Sequence, residues 1–331
     1  MLSVALRATS DAFCFAKCTS PGQFFIFIGA FSRAAQVRFI SSSAKDWRKV
    51  GNMLSDSEVT RLAGLFVDSV RNNCQGEVAI LFSGGIDSTA IATVAKRFTT
   101  PLLITAGVEG SSDLEAAKKT AAELGLPHKC VVLTEQEIIS VYKKCFKIRK
   151  GNLNKVELMV PVFECCREAA RSGKWRILSG SGAEELFIGY DRFFKYKGKK
   201  LENLLKKEIK ELPSGDCEAQ DLVAKNFGMR AAYPFLYPPF VDAILATPLS
   251  ERLGTREDKK PLLRKIAAKL GLPQAAIDRK KKAMQYGSGV HKLLLKNITQ
   301  IEEELRVKEE LKQRKRDQMA AKFPNRKKYP R

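Results

Sequence analysis

The sequence predicts an α/β protein, a doubly wound parallel sheet followed by a C-terminal helical part, and three observations predict it. Short continuous apolar runs alternate with helix-length amphipathic stretches, the spacing of strands buried on both faces and joined by helical crossovers. A glycine-bearing hexapeptide, Ser83-Gly84-Gly85-Ile86-Asp87-Ser88, links the first such run to the helix after it. Beyond Tyr190 the strand signals stop, and prolines divide what remains into helices.

Taken in order, Ser55-x-x-Glu58 has the spacing of a capping box, and Val59, Leu62, Ala63, Phe66, Val67 and Val70 recur at helical intervals, so a helix precedes the sheet. Strands are expected over 78–82, 102–105, 130–133 and 176–178, with helices over 88–98, 113–124, 135–146 and 162–171. This alternation places ligands beyond the carboxyl ends of the strands. Pro213, Pro234, Pro238, Pro239, Pro248, Pro261 and Pro273 punctuate the later helices. From Lys296 onward the chain is highly charged and sparse in apolar residues, which reads as an exposed helix fraying into a disordered basic tail.

Residues 1–44 read as an organellar targeting peptide: Arg7, Lys17, Arg33 and Arg38 stand against the single acid Asp11, among many Ser, Ala and Phe. A mitochondrial destination is expected, with a plastid leader as the alternative. The apolar run Phe24 to Phe31 is too short to span a bilayer. The expected organisation is then a targeting peptide over 1–44, an α/β domain carrying the glycine-bearing hexapeptide over 45–195, a helical part over 196–295 and a charged tail over 296–331.

Composition narrows the function classes. With 44% hydrophobic residues over 331, the chain can bury a full core, which excludes disorder throughout. Lys and Arg number 58 against 36 Asp and Glu, a formal charge of +22 that favours phosphate-rich partners such as RNA, although a solvated lysine-rich surface gives the same figure. The eight cysteines form no Cys-x-x-Cys pair and only His128 and His291 accompany them, which argues against zinc and iron–sulfur sites. Adjacent Cys165 and Cys166 read as buried thiols on a helix.

The hexapeptide has the chemistry of a phosphate cradle. Gly84 and Gly85 let the backbone approach oxygen atoms, Ser83 and Ser88 add hydroxyls, and the helix N-terminus supplies oriented N–H groups. Asp87 can hold the Mg²⁺ that accompanies a polyphosphate. No lysine follows the glycines, so the loop differs from that of kinases and GTPases; it resembles the PP-loop of ATP pyrophosphatases, which cleave ATP between the α and β phosphates.

A second run, Ser179-Gly180-Ser181-Gly182-Ala183-Glu184-Glu185-Leu186-Phe187-Ile188-Gly189-Tyr190, resembles the Ser-Gly-Glu-Gly-Ala/Ser-Asp-Glu-Leu-Phe-Gly-Gly-Tyr run of the asparagine synthetase family. Gly107 to Asp113, Tyr233 to Leu236, Lys260 to Arg264 and Arg279 to Gly287 extend the likeness across about residues 77–293. The resemblance implies an ATP-dependent carbon–nitrogen ligase whose cofactors are ATP and Mg²⁺. It implies that Ser83, Gly84, Gly85, Asp87 and Ser88 hold the pyrophosphate and that Leu81, Ala106, Gly107, Ser179 and Gly180 meet the adenosine. Asp87 and Glu184 would bind the metal, and Lys281 or Lys282 would contact the phosphates; a solvated basic turn is the alternative for that segment.

Four positions depart from the family run. Ser181 stands where the family has an acid thought to act as general base, Glu184 replaces an aspartate, Tyr237 an aspartate and Ile188 a glycine. No glutaminase domain precedes Ser83 in this sequence, so nitrogen is expected from ammonia, another amine or a partner. Alternatives are a tRNA-modifying PP-loop enzyme and a noncatalytic ATP-binding protein of an RNA–protein assembly.

Overall fold

The computed structural model describes residues 15–16, 25–26, 54–149, 153–279 and 284–305. Phe15–Ala16 pairs antiparallel with Phe25–Ile26 in a first unit; the targeting-peptide reading otherwise concerns residues outside those described. From Asp56 onward the chain forms one compact unit.

Helix α1 (Asp56–Asn73) opens with Asp56 and Glu58 in its first turn, where acids complement the exposed N–H groups. Its buried face carries Val59, Leu62, Ala63, Phe66 and Val70, and Phe66 stacks on Phe235 with ring centroids 4.8 Å apart. Strand β1 (Val78–Leu81) is buried throughout, as is β2 (Leu102–Gly107). Helix α2 (Ile86–Ala95) connects them and is buried almost all round, because it lies between the sheet and α1. Helix α3 (Ser112–Leu124) ends on Gly125 in a left-handed conformation (φ 61°) that a glycine adopts without a Cβ penalty.

Strand β3 (His128–Val132) follows, then α4 (Glu135–Ile148), which starts on a reciprocal capping box between Thr134 and Glu137. The short α5 (Leu153–Glu157) leads into α6 (Met159–Arg171), which carries Cys165 and Cys166 as expected, both buried. Strand β4 (Arg176–Leu178) and helix α7 (Ala183–Leu186) carry the second motif.

The later helices are α8 (Gly198–Glu211), α9 (Asp216–Asn226), α10 (Pro238–Ala246), α11 (Leu249–Arg252), α12 (Pro261–Leu270), α13 (Gln274–Asp278) and α14 (Met284–Gly287). Pro238 and Pro261 sit at helix starts, where a missing N–H costs nothing.

Three expectations need correction. The strands do not end where the strand signals do, at Tyr190: β5 (Arg230–Ala232) pairs in parallel with β4, Ile177 opposite Ala231. Its Arg-Ala-Ala sequence has no β-branched residue, so pairing with a formed neighbour creates the strand rather than local preference. Strand β3 is not buried on both faces: none of its five residues is fully buried, and Lys129 and Val132 are exposed, because it is the sheet's edge. The helix from Lys296 to Leu305 is not simply exposed: Ile301 and Leu305 pack into the main core, continuing the buried Val290 and Leu294 just before them. The tail beyond residue 305 lies outside the described residues.

All five strands are parallel, in the order β3-β2-β1-β4-β5. The chain therefore winds outward from β1 to β3 and then returns to the other side of β1 with β4. That reversal creates a crevice between the carboxyl ends of β1 and β4, where open α/β sheets place their ligands.

Candidate functional site

Both glycine-bearing motifs emerge at this crevice, one from β1 and one from β4. In the first loop, Ser83 N–H donates to Ser88 Oγ (3.2 Å), and Ser88 Oγ donates to Gly85 O (3.3 Å), so the loop is tied into a closed turn. Gly84 has φ 66°, and a Cβ there would lie 2.7 Å from the Ala116 carbonyl, so both conformation and packing demand glycine. Arg279 binds the loop from outside: Nη1 donates to Ser83 O (2.5 Å), and Nη2 to Ser112 O (2.9 Å) and Asp113 Oδ1 (2.9 Å).

The second motif approaches the first closely. A Cβ on Gly180 would lie 3.2 Å from Asp87 Cβ. Asp87, buried at the start of α2, and Glu184, on α7, converge on Lys260. The Lys260 ammonium lies 2.8 and 3.0 Å from the two Asp87 carboxylate oxygens and 3.0 Å from Glu184 Oε1. Because one cation already faces both carboxylates, the donor set fits a divalent ion as well. Mg²⁺ is typically held by one or two protein carboxylates, with water and phosphate completing its shell. Gly189 makes the convergence possible, since a Cβ there would collide with Glu184 Oε2 and lie 2.5 Å from Lys260 Cε.

Ser181 Oγ accepts a hydrogen bond from Gln220 Nε2 of α9 (2.7 Å) and lies 3.0 Å from Ser179 Oγ. It is thereby fixed, and a serine hydroxyl at neutral pH cannot by itself take the proton of a reacting amine. Gln220 Oε1 is buried without a hydrogen-bond partner among the described residues. Tyr237, in the place of an aspartate, ends the 3₁₀ turn Pro234–Leu236 and begins α10. Ile188, in the place of a glycine, adopts φ 57° while fully buried against Phe193, Leu201 and Leu205.

The sequence-predicted residues therefore converge in large part. Ser83, Gly84, Gly85, Asp87 and Ser88 form the loop; Leu81, Ala106 and Gly107 end β1 and β2; Ser179 and Gly180 follow β4; Glu184 joins Asp87 across the crevice. Lys281 and Lys282 lie outside the described residues. Lys260 is the participant that motif reading passed over. Its signal was present, because it heads the Lys260-Pro-Leu-Leu-Arg264 match, but nothing local says that this lysine turns inward.

Glu185 is also buried, and burial is the main force pushing its carboxyl up to about 7; its own backbone N–H acts in the opposite direction, while Glu184, Glu208 and Asp216 add to the rise. Among the described residues no helix is long and apolar enough to cross a membrane.

A glycine loop and a carboxylate pair at the switch point of a doubly wound parallel sheet make this an α/β protein with the layout of a phosphate-ligand site. Comparison with known proteins is more specific: the profile of the asparagine synthase family matches residues 61–211 and 196–327, and the chain belongs to that family. It is 27% identical over 264 residues to asparagine synthetase B [glutamine-hydrolyzing] of Escherichia coli, a match over 74% of this chain and 47% of that protein. It is 30% identical over 196 residues to the asparagine synthetase [glutamine-hydrolyzing] of Asparagus officinalis, covering 55% of this chain and 33% of that one. The chain thus spans less than half of either relative. Among solved structures, an NMN synthetase from Francisella tularensis aligns with a TM-score of 0.40 at 14% identity, over 71% of this chain and 78% of that one.

Proposed function

We propose that this chain is an ATP-dependent ligase that adenylates a carboxylate or amide substrate and releases pyrophosphate. The observation that carries the reading is the convergence of the Ser83–Ser88 loop with Asp87 and Glu184 at the mouth of the crevice between β1 and β4. ATP would lie with its polyphosphate on the loop and its adenosine against the ends of β1, β2 and β4. Mg²⁺, held by Asp87 and Glu184, would neutralise charge on the polyphosphate.

An acceptor oxygen attacks the α-phosphorus, the bond to the bridging oxygen of the β-phosphate breaks, and pyrophosphate leaves with that electron pair. An amine then displaces AMP from the adenylated acceptor. The chain's own contribution is positioning and charge: loop N–H groups and hydroxyls hold the departing pyrophosphate, Lys260 and Arg279 supply positive charge near it, and Lys281 and Lys282, outside the described residues, would add more. Ser181 contributes a hydrogen-bonding hydroxyl rather than a base, so the incoming amine must arrive already neutral or lose its proton to another group.

ATP–pyrophosphate exchange by the purified full chain tests this, with aspartate, other amino acids and bulk tRNA as acceptors and Asp87→Ala as control. Exchange that needs one acceptor and drops by about a hundredfold or more in the control is the expected result. ATP binding without exchange for any acceptor would replace ligation with nucleotide binding alone, a reading that the immobilised Ser181 hydroxyl favours.

A further inference from the structure

Lys260 is an unusual residue to find at its position. It is buried, and it adopts a left-handed backbone conformation (φ 58°) immediately before Pro261. A side chain with a Cβ is strained in that conformation, and a following proline disfavours helical conformations further. Such strain persists only where the surroundings over-determine it. Here the surroundings are two carboxylates from separate motifs, both within ion-pair distance of one ammonium, and a glycine at 189 that makes room for the Lys260 methylenes beside Glu184. The backbone of two segments is thus shaped to deliver this ammonium to a point that faces both acids.

We propose that Lys260 is the internal counter-ion of the Asp87–Glu184 pair, occupying the position a divalent cation would take, so that metal enters only together with nucleotide. The inference rests on the nucleotide-site reading above and adds an order of binding to it. A hydrated Mg²⁺ gives up water reluctantly, and alone it offers the displaced ammonium no new partner in a buried site. A polyphosphate changes that balance, because its oxygens accept the ammonium while the metal takes the carboxylates. Lys260 then moves from the acids to the phosphates.

The test measures uptake of Mn²⁺, as the probe cation, by electron paramagnetic resonance of the full chain, with and without α,β-methylene ATP. Wild type should take up little Mn²⁺ alone in the millimolar range and bind it with the nucleotide analogue. Lys260→Met should bind Mn²⁺ alone at least about tenfold more tightly than wild type. Adding Asp87→Asn to that variant should abolish the gain, and Lys260→Arg, which keeps a cation at the position, should behave like wild type.

Wild-type uptake of Mn²⁺ alone as tight as that of Lys260→Met would overturn the inference, and so would a folded Lys260→Met that gains nothing. Should Lys260→Met fail to fold, the wild-type comparison decides by itself: Mn²⁺ bound equally with and without the analogue refutes the inference. Failure of wild type to bind the analogue at all would instead refute the nucleotide-site reading.

Discussion

Glu185 sits one residue beyond Glu184, yet faces a different environment, and the pH dependence of stability should reveal it. Its carboxyl is pushed up to about 7 by burial, against an ordinary value of 4.5. Between those two pH values the folded chain keeps a proton that the unfolded chain has released, so stability falls as pH rises through the interval. The difference amounts to about 3 kcal/mol once pH exceeds the folded value, at 1.36 kcal/mol for each pH unit of separation. Replacement by glutamine preserves the shape and removes the titration. Glu185→Gln should therefore be more stable than wild type by up to about 3 kcal/mol at pH 8, roughly 6–12 °C in Tm, and the advantage should shrink steadily towards pH 4.5. Urea unfolding of both proteins from pH 5 to pH 8.5 measures this. A stability difference that is the same at both ends of the range would show that Glu185 keeps an ordinary ionisation in the folded chain.

Two neighbouring positions give sharper structural tests. Gly189→Ala should lose about 1–3 kcal/mol in chemical unfolding and most of its nucleotide affinity in calorimetry, because the new Cβ displaces both Glu184 Oε2 and Lys260 Cε; unchanged affinity would separate those residues from the site. Ile188→Gly regains about 1–2 kcal/mol of left-handed strain but empties a fully buried side-chain site worth about 2–5 kcal/mol, so the net outcome in urea should be a loss; a more stable variant would mean the isoleucine is strained without compensation.

The ease with which each element could be read from sequence follows from where its information lies. Strand β1 is a central strand whose four residues are all apolar and buried, and the loop after it states its chemistry within six residues. Strand β2 runs to Gly107, two residues past the expected end, because Gly107 pairs with Val132 of β3, a partner that a linear reading does not see. Strand β5 is the extreme case, since Arg230, Ala231 and Ala232 carry no strand preference and become one only beside β4. The burial of the stretch from Lys296 is hidden for a different reason: its apolar residues are few, but Ile301 and Leu305 continue the spacing of Val290 and Leu294 at intervals of four and seven, which is a continuous stripe. Position, not density, decided their burial.

The site divides along the same line. Asp87 and Glu184 were legible because each lies in a motif whose local setting, strand then glycine turn then helix, already implies a ligand. Lys260 lies 173 residues from Asp87 in sequence, on a chain with 58 basic residues, nearly all of which a sequence reading must assign to the surface. Only the left-handed turn before Pro261, invisible until the backbone is traced, distinguishes it. Ser181 is legible as a departure that removes a base, but not in its surroundings, for Gln220 on α9 is what immobilises its hydroxyl. Motifs of this kind record where a ligand can rest; the charges and hydrogen bonds that decide what happens to it come from the helical half, folded back over the crevice.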